Sequence, residues 1–129
     1  MQNDMQIYIG QVVTLQSGGP EMTVSNPSNC NGTVTCVWFP SNTSSTLCCS
    51  EFHSATLSLR DGQLACGYRS ERFNPGQTVK LRSPVGPLMT VEFVREGSQQ
   101  KVSCIWFGED GSPSTALFHP EALVLQDAL

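Results

Sequence analysis

The chain has 129 residues, with 7 Lys plus Arg against 11 Asp plus Glu, a formal net charge of −4 and 6 cysteines. A mildly acidic balance argues against the strongly basic kind of dedicated nucleic-acid binder, no run approaches the roughly 18 apolar residues of a membrane span, and the start MQNDMQIYIG lacks the basic region and apolar stretch of a secretory signal. The expectation is a soluble cytoplasmic protein whose unevenly spaced cysteines stay as free thiols, because a disulfide framework needs an oxidising compartment.

From the N-terminus, the first elements lie in GQVVTLQSGGPEMTV, residues 10–24. Val13 and Leu15 alternate with Val12, Thr14 and Gln16, and Met22 and Val24 flank Thr23. This period of two predicts a pair of strands with Val13, Leu15, Met22 and Val24 facing a core. Between them, Gly19-Pro20 predicts a tight connection, since Pro fixes its φ and Gly admits a positive one. Val34, Cys36 and Trp38 carry the alternation into a third strand, and Phe52, Leu57 and Leu59 mark the closing ones. Residues 61–74 match nothing else in the chain and read as a linker.

The same order then returns. GQTVKLRSPVGPLMTV at residues 76–91, VSCIWF at 102–107, Phe118-His119, Leu123 and Leu125 repeat the first half with one inserted residue in the first hairpin. Fixed-order self-similarity of this kind is duplication. Val79, Leu81, Met89, Val91, Cys104 and Trp106 take the inward places, while the alternate positions change to Thr78, Lys80 and Arg82. The copies differ in length at residues 25–33 and 40–51, as surface loops do. With no stretch of helical period, each copy reads as about five short strands. The fold class is therefore all-β: two tandem small SH3-like β-barrels, residues 1–60 and 75–129.

The pattern of Gly10, Val13, Leu15, Ser17, Gly18, Gly19, Pro20, Met22, Thr23 and Val24, followed by Val34, Cys36, Trp38, Phe39, Phe52, Leu57 and Leu59, resembles the YodC-like family of small bacterial proteins. Both copies carry it, the second departing at Pro84-Val85. The resemblance implies a small module without an assigned activity, and the tandem arrangement departs from the single modules usual in that family.

Candidate chemistry is sparse. His53 and His119 hold equivalent places, but no acidic partner stands at a fixed offset in both copies, so no catalytic residue is expected and the chain reads as a non-enzyme. Cys30, Cys36, Cys48, Cys49 and His53 include the side-chain types that bind zinc, yet no Cys-x-x-Cys occurs and neither a metal nor another cofactor is expected. The Cys48-Cys49 pair has no neighbouring base in sequence to lower a thiol pKa. Gly18-Gly19-Pro20 leads into a strand, whereas a phosphate-binding loop leads into a helix.

Two features point to binding. All 7 basic residues fall between Arg60 and Lys101, and Tyr68 and Phe73 interleave with Arg69 and Arg72 as base-stacking platforms do. Trp38-Phe39 and Trp106-Phe107 each put aromatics on opposite faces of a strand, so the outer one is either a contact for a protein or peptide or is covered by the other module or a second chain. Phe39, Phe107, Arg69, Arg72, Lys80 and Arg82 are the candidate binding residues. The leading expectation is a non-enzymatic protein- or peptide-binding module. A nucleic-acid adaptor using the second copy is the alternative, and a thiol- or metal-dependent enzyme ranks third.

Overall fold

The structure is a computed structural model that describes residues 7–27, 32–60, 72–95 and 100–126. Among the described residues, ten strands form two five-stranded antiparallel sheets. The first contains β1 (Val12–Leu15), β2 (Gly18–Asn26), β3 (Thr33–Trp38), β4 (Cys48–His53) and β5 (Leu57–Leu59), in the order β4-β3-β2-β1-β5. The second contains β6 (Thr78–Leu81), β7 (Met89–Arg95), β8 (Lys101–Phe107), β9 (Pro113–Phe118) and β10 (Leu123–Leu125), in the order β10-β6-β7-β8-β9. A single 3-10 turn, Ser54–Thr56 or Pro120–Ala122, returns each chain segment to its first strand. Neither sheet closes into the expected barrel: β4 and β5 remain edges of the first, β9 and β10 of the second. Among the described residues no helix is long and apolar enough to cross a membrane.

The equivalences extend to individual hydrogen bonds. Gly10 and Gly76 both have a φ of 93°, a region that favours a residue without Cβ. Each donates its N–H to the strand ahead, Gly10 to Val24 at 2.9 Å and Gly76 to Val91 at 2.8 Å. The glutamine that follows folds back, Gln11 Oε1 accepting from Tyr8 N at 2.9 Å and Gln77 Oε1 from Asn74 N at 2.8 Å. Both second strands also slip register at one place, between Val24 and Asn26 and between Val91 and Phe93, the signature of a β-bulge.

The hairpin turn differs from the expectation. Leu15 pairs with Gly18, so the chain reverses at Gln16-Ser17, while Gly19 and Pro20 already belong to β2. In the second sheet residues 82–88 form a wider connection, because the inserted residue breaks the two-residue loop.

The inward set is largely as predicted. Val13, Met22, Val24 and Cys36 are buried in the first core with Ile7, Val34 and Leu57, but Leu15, Trp38, Phe52 and Leu59 are only partly covered. In the second core Val79, Leu81, Met89, Val91, Cys104 and Trp106 are all buried, with Phe118 and Leu123. Phe73, at the end of the predicted linker, is also buried there, as Ile7 is in the first core. Residues 61–71 of that linker lie outside the described residues.

Candidate interaction surface

The two Trp-Phe pairs have different fates, and the difference leaves one aromatic ring on the surface. At the end of β3, Trp38 stays with its own core, its ring 6.3 Å from Phe52. Phe39 crosses to the other core and meets Trp106 edge-on, centroids 5.3 Å apart at 84°, a favourable arrangement of ring quadrupoles. It is 1% exposed and clusters with Met89, Leu81 and Phe118. A Cβ on Gly86 would sit 2.7 Å from the Phe39 ring, so glycine is what admits it.

The loop after Phe39 holds it in place through polar contacts. Asn42 Oδ1 accepts the Gly86 N–H at 2.9 Å, the Ser44 carbonyl accepts Trp106 Nε1 at 3.2 Å, and the Thr43 carbonyl accepts the Glu109 N–H at 2.8 Å. A Cβ at Gly108 would collide with Ser45. On the adjoining strand, buried Thr23 accepts the Ser83 N–H and donates to the Ser83 hydroxyl, both at 2.9 Å. Val12 and Val37, outward on the first sheet by alternation, are buried as well; Val37 belongs to the second core. Phe39 is therefore a core residue and is removed from the candidate partner contacts.

Phe107, its counterpart, is 66% exposed. It ends a row on β8 whose alternate members, buried Ser103, half-buried Ile105 and exposed Phe107, face away from Val102, Cys104 and Trp106. Cross-strand pairing sets Phe93 and Leu117 on either side of Ser103, and Thr90 and Thr115 on either side of Ile105. Phe93 is 48% and Leu117 44% exposed. These two were not among the sequence candidates. Their signal lay in the outward positions, where β7 and β9 have Phe93 and Leu117 in the places of Asn26 and Glu51. Large exposed apolar side chains clustered on one sheet face mark contact sites more often than isolated ones do.

The basic candidates scatter. Arg69 lies outside the described residues. Exposed Arg72 lines a cavity of about 310 Å³ together with Phe93, Val94, Gln100 and Val102. Lys80 Nζ donates to the Pro84 carbonyl at 2.8 Å, and Arg82 Nε to the Glu121 carbonyl at 2.7 Å. Arg60 pairs with Glu21 at 3.0 Å. Phe73 is buried and offers no stacking face.

Among the described residues, no group of three or more His, Cys, Asp or Glu is placed to hold a metal ion. Cys36, Cys48, Cys49 and Cys104 are free thiols. Burial pushes the Cys36 and Cys104 thiols up to about 12, the Cys49 thiol adding to the effect on Cys36. His53 is exposed and His119 half-buried; burial first, then Lys101, lowers the His119 pKa against an opposing pull from Glu121.

A family model described as an uncharacterised small protein, DUF2158, matches residues 8–57. No curated protein and no solved structure matches the chain.

Proposed function

We propose that the chain is a tandem of two SH3-like modules, similar to the YodC-like proteins, that works as a non-enzymatic protein- or peptide-binding module through the outer face of its second sheet. The observation that carries this reading is that Phe93, Leu117 and Phe107, each between 44% and 66% exposed, lie on one face of the sheet, the first two flanking Ser103 and the third at the end of β8. Thr90 and Thr115, on either side of Ile105, set hydroxyl-bearing side chains between these apolar ones. Aromatic anchors of this kind carry a disproportionate share of binding energy at protein interfaces. The tandem assignment is supported by the identical strand order and by the paired Gly10 and Gly76 turns. The SH3-like assignment is supported by a meander whose fifth strand returns beside the first, although the sheets stay open.

The nucleic-acid alternative draws less support, because Arg60, Lys80 and Arg82 make intramolecular bonds and Phe73 is buried. A random peptide library displayed on phage, selected against the immobilised full chain, tests the proposal. Selected peptides should lose binding on Phe107→Ser or Phe93→Ser and keep it on Lys80→Gln. Peptides insensitive to both aromatic changes, or binding that disappears with Lys80→Gln in moderate salt, would remove this face from the assignment.

A further inference from the structure

The contact between the two halves is not symmetric. A two-fold contact between equivalent units would mirror each pair: Phe39 on Trp106 would be matched by Phe107 on Trp38, and Thr23 on Ser83 by Thr90 on Ser17. Neither mirror pair is made. Phe107 is 66% exposed, Thr90 and Ser17 are exposed, and Trp38 packs beside its own Phe52. The contact is therefore heterologous, a plug on one unit entering a socket on the next. Heterologous contacts between repeated surfaces propagate into rings or filaments.

Each chain consequently has one plug and one socket left over. The spare plug is the outer face of the second sheet, with Phe107 and Thr90 in the places of Phe39 and Thr23. The spare socket is the end of the first sheet, with Leu15, Ser17, Trp38 and Phe52 in the places of Leu81, Ser83, Trp106 and Phe118. Its state fits an unfilled socket. Leu81, Trp106 and Phe118, in the core that Phe39 enters, are only 1%, 3% and 4% exposed, whereas Leu15, Trp38 and Phe52 are partly open. The turn that borders this end is tighter than the connection at residues 82–88 that supplies Gly86, and its Ser17 is exposed where Ser83 is buried.

We infer that a second copy of this chain fills that socket, the Phe107 face of one molecule docking on the Ser17–Trp38 end of the next, head to tail. This rests on the reading of the Phe107 face as a protein-binding surface and names its partner. A second copy is the occupant because the chain already contains a fit of this kind, in which Phe39 and Thr23, the counterparts of Phe107 and Thr90, meet Trp106 and Ser83, the counterparts of Trp38 and Ser17. The loop at residues 108–112 is shorter than that at 40–47, so Phe107 seats with less polar support than Phe39. The association is accordingly reversible and dependent on concentration.

Sedimentation velocity of the full chain under reducing conditions, over a wide concentration series, tests this with two exposed-site variants. Wild type should grow beyond dimers or close into a ring of more than two. Phe107→Ser lacks the plug and Ser17→Arg blocks the socket, so each alone should stay monomeric, weakening association at least about tenfold, as loss of a central anchor does. Mixed in equal amounts they should form a one-to-one dimer and stop, since one intact plug meets one intact socket. Thr90→Arg should behave like Phe107→Ser, and unchanged urea midpoints establish that the variants are folded. A wild type that stays monomeric overturns the inference, as does one that stops at dimers which Ser17→Arg leaves intact. If the selected peptides still depend on Phe107 when the chain is monomeric, only self-assembly fails; if they do not, the underlying reading fails with it.

Discussion

Phe39 and Phe107 follow equivalent tryptophans on equivalent strands, yet one is a core side chain and the other a surface one. The cost of truncation should separate them. Phe39→Ala removes a ring buried among Trp106, Met89 and Leu81 and should destabilise by about 3–5 kcal/mol, the usual result for a buried phenylalanine. Phe107→Ala should change stability by less than about 0.5 kcal/mol, as surface changes do. Urea midpoints of the two variants at unchanged slope would measure both; equal losses would contradict the asymmetric contact. The cysteines allow a chemical check. With pKa values raised to about 12 by burial, Cys36 and Cys104 hold roughly one thiolate in ten thousand at pH 8, and only the thiolate is the nucleophile. Iodoacetamide at pH 8 should label exposed Cys49 in the folded chain and reach Cys36 and Cys104 only after denaturation, as read by peptide mass spectrometry. Rapid labelling of Cys104 in the folded state would show that its core opens readily.

Among the elements, the turns at Gly10 and Gly76 are the most informative because they recur with the same φ of 93° and the same glutamine side-chain bond. Space is open around Gly76, so an added methyl group meets strain in the backbone alone. Gly76→Ala should cost about 1–3 kcal/mol, the range for a side chain forced into a sparsely populated backbone region. A neutral result by urea unfolding would mean that the turn relaxes into another conformation. The bulges after Val24 and Val91 shift the strand beyond them by one position, which is how Phe93 comes to lie opposite Ser103 on the outer face. Three of the four edge strands are short or begin with proline: β5 and β10 have three residues each, and β9 begins with Pro113, which has no N–H to donate to a further strand; β4 is a six-residue edge.

Across the whole molecule, the dependence of the halves on one another is unequal. The second core contains Val37 and Phe39 from the first half, with Leu47 packed against it, whereas among the described residues no buried member of the first core comes from beyond Leu57. Residues 70–129 expressed alone should therefore lose more stability than residues 1–62, with a lower urea midpoint relative to the intact chain. The first segment loses cover over Val12, Thr23, Val37 and Phe39 but keeps its own core whole. If both segments matched the midpoint of the intact chain, the crossing of Phe39 would contribute nothing to folding. A fifty-residue unit buries a small share of its surface, and borrowing a ring from its neighbour is one way to complete a core.

Much of each unit was legible in residue order. Period-two alternation identified Val13, Met22, Val24 and Cys36 with Val79, Met89, Val91 and Cys104 as inward, because strand geometry makes side-chain direction a local property. The all-β class and the candidacy of Phe107 came from the same pattern. Local pattern also has limits: it put the first hairpin turn at Gly19-Pro20 rather than Gln16-Ser17, and it assumed closure into barrels, which depends on whether the outer strands can meet. The fate of Phe39 was beyond its reach. Alternation states that Phe39 leaves its own sheet's core, and only the packing of one unit on the other states where it goes. That choice depends on Gly86, Asn42, Ser44 and Trp106, which are distant in sequence and are brought to one place by the fold.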